Sequence, residues 1–427
     1  MRKALFLLCV GSISFLQVSF GAGFSIFEQG AGPMAMAGAF TARADDPSAI
    51  FFNPAGITQL DGTQISVGIT LIKPSSTLTD PYGREWDSDN QTFYPPNLYI
   101  THQLNDRFSL GLGFGAPYGL GMKWDNNKNF IYRYLVEEVN VASYYFNPVF
   151  AYDINDHFSI GGGLTYVLSD VDYAAAVDMT QLSQALSASL GMEIVLPDGH
   201  MKLEGDSGSG EIGFNIGIQA KFEPVRLGFV YRSEVDCSYE GNAKFNVTPT
   251  GYGAQIDTIV DGYFPDTKGE TDITMPASAS FGVAYDFTEN FSMEFDVNWM
   301  GWSSYESLDL AFENEGIPDK SQNKDWDDVF SYRLGARYLP TEKIRLFAGY
   351  YFDESPVPDN TLDPILPGAD RHSFQIGAGY DFGNIVIEGA YQALMFDDRE
   401  TTTNYLGIDG KYESFSNLFG IQLTYKI

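Results

Sequence analysis

Cysteine is almost missing from this chain: Cys9 and Cys237 are the two in 427 residues. Cys9 lies in an N-terminal apolar run that reads as a cleavable signal, so one cysteine remains and no internal disulfide can form. Histidine is nearly as scarce. His102, His157, His200 and His372 stand far apart, and no His/Cys spacing matches a metal site. No metal and no cofactor is expected. Long hydrophobic runs are lacking too. Beyond the N-terminus no stretch offers the ~18 consecutive apolar residues that a transmembrane helix needs. Positive charge is the next shortage: 25 Lys and Arg face 56 Asp and Glu, a net charge of −31. That surplus repels polyanions and disfavours nucleic acid as a partner. Catalytic motifs are absent as well. Gly205-Asp206-Ser207-Gly208 imitates a serine nucleophile loop but sits in a Gly/Ser-rich loop, with only the four scattered histidines available as a base. Gly111, Gly113 and Gly115 alternate along a strand with no helix after them, unlike a dinucleotide loop. No catalytic residue is predicted, and the chain reads as a non-enzyme.

What the chain does have begins with a secretion signal over 1–21. Arg2 and Lys3 precede an apolar run from Ala4 to Leu16, with Ser19 and Gly21 before a cut that would leave Ala22 first. Residues 22–58 are rich in glycine and alanine: Gly30-Ala31-Gly32-Pro33, Ala37-Gly38-Ala39, Asn53-Pro54-Ala55-Gly56. Too short and too Gly/Ala-rich to build a domain of its own, this segment must pack inside something. From 59 to 427 the pattern is strand after strand. Phe291, Met293, Phe295, Val297 and Trp299 alternate with Ser292, Glu294, Asp296 and Asn298. The same alternation recurs at 279–287, 374–382 and 419–427. With carboxylates on the polar face and aromatics near strand ends, this is an apolar-out, polar-in barrel wall. Short turns near 105, 155, 223, 289, 341 and 383 alternate with long loops at 74–90, 122–135, 174–210, 242–268, 312–326, 354–369 and 399–410. Six short and seven long connections predict an all-β, transmembrane antiparallel β-barrel of about 14 strands. Residues 22–58 are then expected to form an N-terminal plug, or hatch, in its lumen. Leu182, Leu186 and Leu190, ended by Gly191, predict a short helix in the longest loop. Pro117, without an N–H, and Gly119, without a side chain, predict a break in the third strand.

Several motifs, in order along the mature chain, resemble the FadL family of outer-membrane transporters for long-chain fatty acids and other hydrophobic compounds. They are Ala22-Gly23-Phe24, Ala44-Asp45-Asp46, Asn53-Pro54-Ala55, Asn105-Asp106-Arg107-Phe108, Pro117-Tyr118-Gly119-Leu120, Tyr231-Arg232-Ser233-Glu234-Val235, Trp302-Ser303-Ser304-Tyr305, Tyr332-Arg333 and Asp353-Glu354-Ser355-Pro356. The resemblance implies capture of an apolar ligand by outer loops, binding inside the barrel and lateral release at a kinked third strand. It implies a plug and gate at Phe24, Asn53, Pro54 and Ala55, with Asn53 bonded near the kink, and a lateral opening at Pro117, Tyr118 and Gly119. For ligand binding it points to Lys324, Trp326 and Tyr173. Lys324 matches one basic position of fatty-acid carriers, whereas 168–177, around Tyr173, holds no Lys or Arg. Relatives that carry toluene-like aromatics need no such charge. Implied partners are a hydrophobic small molecule (fatty acid or aromatic hydrocarbon) and the lipid and lipopolysaccharide of a Gram-negative outer membrane, around a monomer. The remoter alternatives are an outer-membrane lipid enzyme and an adhesin.

Overall fold

The computed structural model describes residues 23–124 and 129–427. The secretion signal, Ala22 and positions 125–128 of the loop at 122–135 lie outside the described residues. Fourteen strands close into a ring: β1 (Thr63–Thr79), β2 (Pro96–Asn105), β3 (Phe108–Gly115, resuming over Gly119–Lys123), β4 (Glu138–Asp153), β5 (Phe158–Val177), β6 (Glu211–Phe222), β7 (Val225–Arg232), β8 (Ser278–Thr288), β9 (Phe291–Met300), β10 (Val329–Tyr338), β11 (Ile344–Asp353), β12 (Arg371–Asp381), β13 (Ile385–Phe396) and β14 (Gly410–Lys426). Each is antiparallel to the next, and β14 closes on β1 from Gln64↔Lys426 to Thr79↔Lys411. Closure pairs each strand on both sides, so outside the break in β3 the wall's ladders need no water. The predicted count of 14 strands is found.

Alternation sets the faces. On β9, Ser292, Glu294, Asp296 and Asn298 are buried inward while Phe295 is exposed. Phe150, Leu164, Ile216, Phe281, Phe374 and Ile421 are exposed around the outside. A belt of large apolar side chains on the outer surface is favourable only in lipid. Beyond it, on the long-loop side, shorter strands extend the wall, including Gly199–Asp206, Val235–Asn246 and Thr267–Met275. The expected loop helix forms as Thr180–Leu190, capped by Gly191 in the left-handed region (φ +67°). Its inward face is Leu182, Ser183 and Leu186; Leu190 is exposed, one turn past the packing surface. A second helix, Ala254–Tyr263, packs Val260 against the same loop core and was not anticipated.

Segment 23–60 sits within the ring and is bonded to strands on all sides. Its two single-turn helices, Ala31–Ala35 and Ala49–Phe52, and the 3₁₀ turn Pro54–Gln59 are nearly all buried. Small residues meet glycines of the wall. A Cβ at Gly161 would come within 2.5 Å of the Pro54 backbone, one at Gly228 within 2.1 Å of the Thr41 carbonyl, and one at Gly349 within 2.5 Å of the Ala37 nitrogen. The inward carboxylates grip this backbone. Asp296 Oδ2 accepts from the N–H of Phe40 and Thr41, both at 3.0 Å, and Glu294 Oε1 accepts from that of Ala42 at 2.6 Å.

Candidate ligand passage

The third strand breaks where the sequence places Pro117. β2 and β3 stay paired up to Leu98↔Phe114. Past the break, Gly119–Lys123 pairs with β4 but not with β2. The chain bends because Pro117 offers no N–H to the ladder and Ser143 clips the corner. Its Oγ accepts from the Tyr118 N–H at 3.2 Å and donates to the Tyr118 carbonyl at 2.8 Å. On the side away from β4, Tyr118 pairs with Ser25 of the N-terminal segment. Ile26 N–H donates to the Pro117 carbonyl (2.7 Å), and Gly119 N–H donates to the Phe24 carbonyl (3.0 Å). Residues 24–26 thus occupy the edge that β2 leaves open. Gly119 is close-packed there: a Cβ would lie 3.0 Å from Ile26 Cδ1.

A cavity of about 350 Å³ opens at this point. Its walls include Phe24 to Glu28, the resumed third strand and, across the lumen, Leu394, Phe396 and Leu418. Arg333, Tyr351, Asp353 and Arg371 form a polar end. On the loop side, a cavity of about 20 Å³ is lined by Lys324, Trp326, Tyr305, Asp363 and again Phe24. Phe24 therefore stands between the two spaces. Its ring is wedged edge-on against Trp302 (4.7 Å between centroids), with Tyr118, Tyr305 and Trp326 at 6.1 to 6.3 Å.

The residues named from the sequence fall into four groups. Phe24, Pro117, Tyr118 and Gly119 are brought together at the break. Lys324 and Trp326 line the small cavity, but Lys324 Nζ is paired with Asp363 Oδ2 at 2.5 Å, so its charge is already met. Tyr173 lines neither space; it is buried, and its hydroxyl donates to the Leu135 carbonyl. Asn53, Pro54 and Ala55 are buried as a unit, but away from the break. Asn53 Nδ2 donates to the carbonyls of Thr41 (2.8 Å) and Ile218 on β6 (3.0 Å), and its Oδ1 accepts from the Ala55 N–H (3.2 Å). The expectation that Asn53 bonds near the kink is corrected: the residue that does so is Gln29, whose Nε2 donates to the Ala116 carbonyl at 3.1 Å. Trp302, Asp363, Arg333 and Arg371 were not singled out as site residues. Trp302 and Arg333 lay in quoted motifs, yet nothing local showed that Trp302 packs on Phe24 or that Arg333 lines a cavity.

The family model described as outer membrane protein transport protein (OMPP1/FadL/TodX) matches residues 13–427. The long-chain fatty acid transport protein of Escherichia coli K12 is 25% identical over 365 residues, covering 80% of each chain. A Pseudomonas aeruginosa FadL homologue superposes with a TM-score of 0.80 at 22% identity, over 95% of this chain and all of that one. The Pseudomonas putida toluene transporter TodX gives 0.69 at 19% identity, over 93% of this chain and 97% of that one. With the family match running nearly end to end over a 14-strand wall that breaks at its third strand, the chain belongs to the OMPP1/FadL/TodX family of outer-membrane transport proteins.

Proposed function

We propose that the protein takes up long-chain fatty acids, passing them from the outer loops through the lumen and sideways into the membrane at the broken third strand. The carrying observation is the cavity of about 350 Å³ between the N-terminal segment and Gly119–Met122. Its volume lies at the lower end of the ~300–1,000 Å³ typical of ligand sites. An apolar cavity of only ~150 Å³ holds benzene, so this space exceeds the needs of one aromatic ring and suits an extended chain. In this reading the ligand reaches the small cavity at Lys324 and Trp326. It then displaces Phe24 and enters the larger space. Withdrawal of residues 23–29 opens the wall, while 31–58, gripped by Glu294, Asp296 and Asn53, stays as a plug. Sideways exit spares the chain a passage through water, which costs about 25 cal/mol per Å² of exposed apolar surface.

The E. coli relative, named for long-chain fatty acid transport, supports this ligand class. One observation favours monoaromatic hydrocarbons instead: Lys324 is already neutralised by Asp363. Uptake of radiolabelled oleate and of toluene by cells carrying the protein decides between them. Saturable oleate uptake is expected; toluene uptake without oleate uptake would select the second reading. A lipid enzyme or an adhesin would transport neither.

A further inference from the structure

The polar end of the larger cavity is built from two arginines and one carboxylate. Arg333 Nη2 binds Asp353 Oδ1 at 3.0 Å, and Arg371 Nη2 binds Asp353 Oδ2 at 2.8 Å. Arg333 is otherwise occupied: Nε donates to Ser331 Oγ and Nη1 to the Ala37 carbonyl. Arg371 is not. Its Nε is buried and has no hydrogen-bond partner among the described residues. Glu28, on the N-terminal segment, is the second carboxylate lining this space, and its field reaches Arg371. No ion pair joins the two among the described residues. Gln392 holds Glu28 instead, its Nε2 donating to Glu28 Oε1 and to Tyr351 Oη, both at 2.9 Å. Beside Glu28, the Phe27 ring lies 4.3 Å from the Arg333 guanidinium. The groups that would meet a ligand's head are thus the groups that hold the segment closing the wall.

We infer that Arg371 recognises the ligand carboxylate and that this carboxylate replaces Glu28 as the second acid of the arginine pair, releasing the N-terminal segment. The inference rests on the fatty-acid reading. A guanidinium binds carboxylates through paired N–H donors, and Arg371 has bonded Nη2 to Asp353 while its Nε has no partner. In the closed state two cations face Asp353 and Glu28. A bound carboxylate makes three anions for two cations in a largely desolvated space. A surplus buried carboxylate is costly, so Glu28, the acid with no arginine bond, leaves toward water. Phe27 leaves Arg333 with it, and the bonds from Phe24 and Ile26 to the break are lost. An uncharged ligand fills the cavity without driving this exchange.

The test uses purified full-length protein in detergent, with oleate and methyl oleate as probes and quenching of tryptophan fluorescence as readout. The ratio of oleate to ester affinity is the measured quantity. Glu28→Gln removes the competing acid and should raise that ratio roughly fivefold or more. Arg371→Met should lower it about tenfold or more, the loss of a charge-assisted bond. Heat-resistant electrophoretic mobility reports whether each barrel has folded; if Arg371→Met does not fold, Glu28→Gln decides alone. An unchanged ratio in folded Glu28→Gln overturns the exchange. Failure of the wild type to bind oleate would instead overturn the fatty-acid reading, and the exchange with it.

Discussion

Glu294 and Asp296 stand two apart on one face of β9, both buried, an arrangement that invites repulsion. They are tolerated because the backbone of residues 40–43 points its N–H groups at them and Arg43 lies nearby. Their inward direction was legible from the alternation on β9. Their partners were not, because those lie some 250 positions earlier and no local rule links them. Glu294→Gln should weaken the charge-assisted bonds by ~1.5–3 kcal/mol. Amide exchange at 42 and 43 should then rise roughly tenfold or more, as one decade corresponds to ~1.4 kcal/mol. Unchanged exchange would show that the carboxylate does not hold the segment. Lys324 carries a parallel lesson. Its sequence position suggested a ligand partner, but Asp363, in a different loop, already binds it. Lys324→Ala strands a buried carboxylate, so it should destabilise the loop cap by ~3–5 kcal/mol. Lys324→Met with Asp363→Leu should restore much of that stability. If Lys324→Ala leaves thermal unfolding alone and weakens only oleate binding, Lys324 is a ligand partner after all.

Strands and turns were the most legible elements. A period of two and tight turns such as Asn105-Asp106 are local signals, so counting short and long connections reached the 14 strands. The break in β3 was legible for the same reason, since Pro117 and Gly119 disable the ladder by their own chemistry. What fills the break was not, because the pairing of Ser25 with Tyr118 spans 93 positions. The helix Ala254–Tyr263 carried a readable signal in Ile256, Ile259, Val260 and Tyr263, spaced three and four apart. Gly119→Trp places an indole where a Cβ already touches Ile26. It should cut oleate uptake at least tenfold while the barrel keeps its heat-resistant mobility. Full uptake by a folded variant would argue for a route past residues 31–58 instead. In the loop after β1, Asp80 shows how a turn sets its own acid tolerance. Burial works against its charge, but the N–H groups of Tyr82 and Arg84, Arg84 Nε and Trp86 Nε1 outweigh it and hold the carboxyl below its ordinary range. The stabilisation is therefore full above the unfolded value of about 3.9 and is lost only as pH falls through the lower folded value. Fluorescence of a variant keeping Trp86 as its only tryptophan should stay constant from pH 7 to 5; a transition in that window would contradict the assignment.

At the scale of the whole molecule, a closed wall and an internal segment divide the work. The wall supplies the lipid-facing belt and the fixed anchors, and the segment supplies one stretch, 31–58, held by inward carboxylates, and another, 23–29, that pairs with the broken strand. Deleting residues 23–50 should turn a quiet protein into a steady, ohmic pore in planar bilayers. Conductance like that of the intact chain would mean that the segment does not obstruct the lumen. The central claim is that the N-terminal segment must leave the broken third strand for ligand to pass. Ser25 and Tyr118 are the facing pair there, flanked by the bonds from Ile26 to Pro117 and from Gly119 to Phe24. That makes them a non-hydrogen-bonded antiparallel pair, the kind with the closest side chains and Cβ atoms within disulfide reach. The most direct measurement is oleate uptake by the Ser25→Cys/Tyr118→Cys protein, oxidised and then reduced. The account predicts no uptake when the disulfide is closed and recovery on reduction. Equal uptake in both states would contradict it.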